Sequence, residues 1–121
     1  MSWTITVFGD PTPDGSPVDF YAVYGSAALP PLGPTDEVVA ELNTRVREAG
    51  LEATYPTIES DLVGIDGVDE VRVRSVDGEV RMIEVPHPTG PFQELLQAWG
   101  EAKGLRLRFF HDGSGEEFDV P

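Results

Sequence analysis

The chain has 121 residues, with 22 Asp and Glu against 8 Lys and Arg for a formal charge of −14, 40% hydrophobic residues and no cysteine. That length and apolar content fit one domain spanning residues 1–121 and argue against global disorder, while the missing cysteine excludes disulfides, thiol catalysis and thiolate metal sites. A field of this sign repels phosphate backbones and anionic membrane surfaces, so no direct nucleic-acid binding is expected, and it favours a basic protein partner.

The sequence opens MSWTITVFGD, with neither a basic leader nor a long apolar run, so a soluble, cytoplasmic protein without a membrane span is expected. Within it, "SWTITVF" (2–8) alternates Trp3, Ile5 and Val7 with Thr4 and Thr6, the period of a half-buried strand. "GDPTPDGSP" (9–17) cannot continue a ladder, because proline has no N–H to donate. "VDFYAVY" (18–24) then reads as a second strand returning beside the first. After the proline-rich "GSAALPPLGP" (25–34), Thr35 reads as an N-cap, with Asp36 and Glu37 placed for the helix dipole. Val38, Val39, Leu42, Val46 and Ala49 form the buried stripe of that helix, Gly50 ends it, and Glu37, Glu41, Arg45 and Glu48 occupy the opposite side.

"LEATY" (51–55) reads as a short edge strand, and 57–69 as loop. Asp77-Gly78 between two alternating runs is the type I′ signal, which predicts a hairpin of residues 70–76 and 79–85. A second helix follows, with Pro91 in its first turn, Phe92, Leu95, Leu96, Trp99 and Ala102 as its stripe, and Gly104 as its stop. Gly100 inside it points to close packing, since glycine there costs about 1 kcal/mol against alanine. "LRLRFF" (105–110) is the last strong strand, and the tail turns at 112–115 before a short pairing through Phe118 and Val120. The order β-β-α-(β)-β-β-α-β gives an α+β fold: a mainly antiparallel sheet of about five strands, two helices on one face, and a core of ferredoxin-like alternation.

The chemistry-bearing residues are sparse. His87 and His111 fall near opposite ends of the second helix, which argues against a shared metal, and no nucleophile elbow, phosphate loop or zincin pair occurs, so neither catalytic residues nor a metal or cofactor is expected. "DGSGEEFD" (112–119) spaces Asp112, Ser114 and Glu116 like early calcium-loop ligands but carries Glu117 where the loop needs glycine, so a solvated turn is the better reading. Tyr21, Tyr24 and Tyr55 flank the proline-rich loops, and Leu29 and Leu32 read as a lid on the core rather than an exposed edge.

The remaining pattern is cationic. A two-residue turn at Asp77-Gly78 sets Val76 opposite Glu79, Ser75 opposite Val80, Arg74 opposite Arg81, Val73 opposite Met82 and Arg72 opposite Ile83. Val71, Val73, Val80 and Met82 then face the helices, and Arg72, Arg74 and Arg81 face away, as Arg106 and Arg108 do on the last strand. The preferred reading pairs these arginines with the chain's own acids: Glu70, Glu79, the tail carboxylates or those around Asp61. The expectation that follows is a non-enzymatic acidic protein-binding module of immunity, inhibitor or nucleic-acid-mimic type, with Glu37, Glu41, Glu48, Glu116, Glu117 and Asp119 offered to a basic partner. Two alternatives stand beside it. One is an enzyme or small-ligand domain holding a carboxylate or phosphate on Arg72, Arg74, Arg81, Arg106 and Arg108, and the other a structural protein or homodimer assembled through a sheet edge.

Overall fold

The computed structural model describes residues 4–12, 14–23, 29–51, 71–86, 89–111 and 114–118. Among these the chain is α+β, with an open antiparallel sheet of six strands and three helices. In chain order they are β1 (Thr4–Gly9), α1 (Phe20–Val23), β2 (Gly33–Pro34), α2 (Thr35–Glu48), β3 (Arg72–Val76), β4 (Glu79–Pro86), α3 (Gly90–Ala102), β5 (Leu107–His111) and β6 (Glu117–Phe118). The sheet runs β2-β4-β1-β5-β6, and β3 pairs with β4 as well. Val80 is matched at once to Gly33 and to Ser75, so β2 and β3 lie on opposite edges of β4. Strand β1 is central, with Ile5 between Val85 of β4 and His111 of β5.

Two apolar layers sandwich this sheet. Helices α2 and α3 cover one face, where Val38, Leu42 and Val46 meet Phe92, Leu96 and Trp99 over Ile5, Val7, Val73, Val80, Ile83, Val85 and Phe109. The opposite face carries a smaller cluster of Phe8, Phe20, Leu29, Met82 and Phe110, with Phe8 and Phe110 stacked at 4.9 Å. Leu29 and Leu32 are both buried, so the proline-rich connection does close over the core.

Both long helices end in the same motif. Gly50 and Gly104 follow the C-caps with φ of +71°, and the bonds Leu51 N–H to Val46 O and Leu105 N–H to Gly100 O satisfy carbonyls the helix leaves open. At the start of α3 the Thr89 hydroxyl accepts from the Phe92 N–H, a side-chain cap. Gly100 proves to be a packing position, since a Cβ built there would lie 2.6 Å from Leu107 Cδ1.

Several expectations are corrected. The segment read as a second strand contains the helix α1 instead, because the Asp19 carboxylate accepts from the Tyr21 N–H and the Asp19 carbonyl accepts from Ala22 and Val23, which coils the chain locally. Thr35 begins α2 rather than capping it. Its hydroxyl bonds across to Ser75 and to the Gly78 carbonyl, fastening the helix start to the hairpin turn. The hairpin forms with Asp77 and Gly78 at φ of +54° and +79°, as the turn type requires. Its register holds only for Val76/Glu79 and Ser75/Val80, then shifts so that Arg74 faces Met82, Val73 faces Ile83 and Arg72 faces Glu84. Arg81 is the extra residue of this bulge. Met82 consequently leaves the helical face for the opposite cluster, and Ile83 takes the expected inward place. The edge strand expected at 51–55 and the loop at 57–69 lie outside the described residues beyond Leu51.

Candidate functional site

The arginines of the hairpin and of the last strand do belong to one sheet, but not to one site. Arg72 and Arg74 stand on β3 and Arg108 on β5, with β4 and β1 between them. Three inter-strand steps place the groups roughly 14 Å apart. The intervening surface is filled by the Phe8, Met82 and Phe110 cluster under Phe20 and Leu29. The face that the alternation left open is therefore covered, and the arginines fall on either side of the cover.

On the β3 side, Arg74 Nε lies 2.6 Å from Glu84 Oε1, and Glu84 is 4% exposed beside the buried Thr6. Arg72 makes no ion pair among the described residues. At the bulge, one terminal nitrogen of Arg81 donates to the Leu29 carbonyl at 2.6 Å, which pins the loop to β4, while its Nε is buried without a hydrogen-bond partner.

On the β5 side Arg108 is the hub. Its Nε and one terminal nitrogen reach the two oxygens of Glu117 at 2.7 Å each, a bidentate pair. Its other terminal nitrogen donates to Asp10, the Thr12 hydroxyl and the Ser16 carbonyl. Arg106 approaches the same Asp10 at 3.7 Å. Burial pushes the Asp10 carboxyl up, but the hydroxyl and N–H of Thr12, together with Arg108, outweigh it and hold the group below its ordinary value. The bidentate Glu117 contact keeps the Arg108 guanidinium more firmly protonated still. By bonding both to the loop after β1 and to β6, Arg108 acts as a fastener between residues more than a hundred positions apart.

The acids proposed for a partner are also divided. Glu37 and Glu41 on α2 face Lys103, which follows α3, at 3.4 and 2.8 Å, and Glu41 also accepts from the Trp99 indole N–H at 3.0 Å. The Lys103 ammonium draws the Glu41 carboxyl below its ordinary value, and Glu41 in turn raises Lys103. Glu41 is thus a bridge between helices, not a member of a free outer face. Beside it runs an open groove lined by Ala40, Thr44, Arg45, Glu48 and Ala102. Glu48 and Glu116 are exposed without ion pairs among the described residues, Glu117 is held by Arg108, and Asp119 lies outside them.

Among the described residues no group of three His, Asp or Glu side chains is gathered as metal ligands, and no helix is long and apolar enough to cross a membrane. His111 stacks on Phe118 at 4.4 Å, His87 lies outside the described residues, and of the calcium-like segment residues 114–118 form a turn and β6. The chain matches no family model, no curated protein and no solved structure.

Sequence reasoning missed the Arg108 cluster, whose signal was faint: Asp10-x-Thr12 and Asp14-x-Ser16 are side-chain turn motifs, and both form here. Asp14 is held below its ordinary value by the Ser16 hydroxyl and N–H. It also gave no weight to Tyr21 over its neighbours. At 64% exposure Tyr21 is the exposed large hydrophobic residue among those described, presented on α1 above Gly115.

Proposed function

We propose that this is a small acidic, non-enzymatic binding module that docks on a basic protein partner, in the manner of immunity, inhibitor or nucleic-acid-mimic proteins. The observation that supports it is how charge is sorted. Ten of the fourteen described acids are exposed, against three of the eight cations, Arg47, Arg74 and Arg106. Arg108 and Lys103 pair with the chain's own acids and Arg81 ties Leu29 to β4, so the surplus of carboxylate is what the surface offers. Exposed carboxylates steer a cationic partner and set its encounter rate, with exposed apolar groups adding the short-range affinity.

The scaffold we propose is a ferredoxin-like core working as one cytoplasmic domain. The sequence β1-α2-β3-β4-α3-β5, with β1 between β4 and β5 and β3 outside β4, supports that reading, and α1, β2 and β6 are additions to it. Fold analogy carries no function.

The test is to identify the protein retained by the tagged chain from its own cell extract and to titrate the purified pair across salt. The reading expects a partner with pI above about 9 and an affinity that falls steeply between roughly 0.05 and 0.5 M salt, because exposed charges are screened within about 10 Å at 0.1 M. An acidic or neutral partner, or an affinity indifferent to salt, would count against it.

A further inference from the structure

Building on the acidic-module reading, we infer that the surface centred on Tyr21 is where a partner's arginine or lysine side chain docks. The aromatic ring is set out from the protein and held at the same time. The Tyr21 and Phe20 rings meet edge to face, with centroids 5.3 Å apart and planes at 79°, and Phe20 is itself anchored in the buried Phe8, Met82 and Phe110 cluster. The ring also lies against Gly115, where an added Cβ would come within 2.8 Å of Tyr21 Cε2. Gly115 has φ of +71° and leaves room for the ring. An aromatic that is 64% exposed yet seated on two supports loses little freedom on binding, which is the property that makes tyrosine an effective interface anchor.

The surroundings select the partner's charge. Asp19, whose carboxylate caps the backbone of Tyr21, and Glu116, next to Gly115, are both exposed, and neither has an ion pair among the described residues. Asp14 is exposed on the same loop, which Arg108 joins to β6 through Ser16 and Glu117. Of the nearby cations, Arg108 is engaged by Asp10, Thr12, Ser16 and Glu117, and Arg106 holds a 3.7 Å contact to Asp10. A cationic side chain can lie over the ring face while its donors reach these carboxylates, combining cation–π attraction with charge-assisted hydrogen bonds. An acidic anchor would meet repulsion from these carboxylates, and an apolar one would cover the ring but leave them without a partner.

An octa-arginine peptide serves as the probe, titrated at low salt into ¹⁵N-labelled parent, Tyr21→Ala, Tyr21→Phe and a control at the exposed Glu94, Glu94→Gln, with melting curves to show that each is folded. The expected result is amide shifts concentrated at residues 19–22 and 114–117 in the parent. Affinity should fall about tenfold for Tyr21→Ala, stay within about twofold for Tyr21→Phe because the ring is kept, and be little changed by Glu94→Gln. Shifts centred on α2, with Tyr21→Ala binding as the parent does, would overturn this surface while leaving the acidic-module reading in place. Absence of binding by every variant would overturn that reading and this surface with it.

Discussion

Trp99 shows how one side chain joins a core to a surface network. Its ring is 1% exposed among Leu42, Leu96 and their neighbours, and its N–H reaches the carboxylate that also holds Lys103. Truncation to alanine is expected to cost on the order of 3–5 kcal/mol, as large aromatic deletions in cores do, read from urea unfolding. Arg108→Leu is expected to cost about 3 kcal/mol at neutral pH, because it leaves the largely buried Asp10 carboxylate with only the longer contact to the exposed Arg106. The same groups set the acid limb of stability. Asp10 and Glu41 are depressed below their ordinary 3.8 and 4.5, so the stability they contribute is complete above those values and is lost as pH falls through the lower folded ones. Unfolding midpoints should therefore drop on acidification below about pH 4.5, and less steeply in Arg108→Leu. Lys103 is shifted the other way, so its contribution persists until pH rises past 10.5 toward its higher folded value.

At the scale of elements, Gly100 sets two effects against each other. Alanine would recover about 1 kcal/mol of helix propensity, but its Cβ would meet Leu107 Cγ at 2.8 Å and Cδ1 at 2.6 Å, and overpacking of that kind costs roughly 1–3 kcal/mol. Gly100→Ala is thus expected to lower the melting temperature, whereas alanine at an exposed, open helix position would raise it. The two long helices and the hairpin turn were legible because local signals and burial agree there: an apolar stripe, a glycine stop and Asp77-Gly78. The α1 segment was not, because Val18, Phe20 and Ala22 alternate like a strand while the deciding bonds come from Asp19. The bulge does leave a trace in the sequence. Val80 and Met82 keep one phase, Ile83 and Val85 the other, and a strand that is apolar in both phases must change face somewhere between them. The candidate surface was the least legible, since exposure of Tyr21 depends on Gly115, which lies 94 positions away in the chain and reaches it only through β5 and β6.

For the whole molecule, a charge of −14 means that folding gathers like charges, so added salt should stabilise the chain. Arg74→Glu combined with Arg81→Glu adds four negative units, removes the Glu84 pair and the Leu29 tether, and is expected to melt lower at low salt, with part of the loss recovered in high salt. A higher melting temperature for that double variant at low salt would mean that the arginines repel one another more than they hold the fold. The central position of β1 sets the timetable of assembly. Ile5 is made before its two neighbours across the ladder, Val85 and His111, which follow it by 80 and 106 positions. A nascent chain emerging from the ribosome can wind α2 and close the β3–β4 hairpin from local sequence, but β1 does not have both its partners until β5 has been translated. Loop closure on that span slows folding, and through that interval the apolar Ile5, Val7 and Phe8 are open to the wrong neighbour.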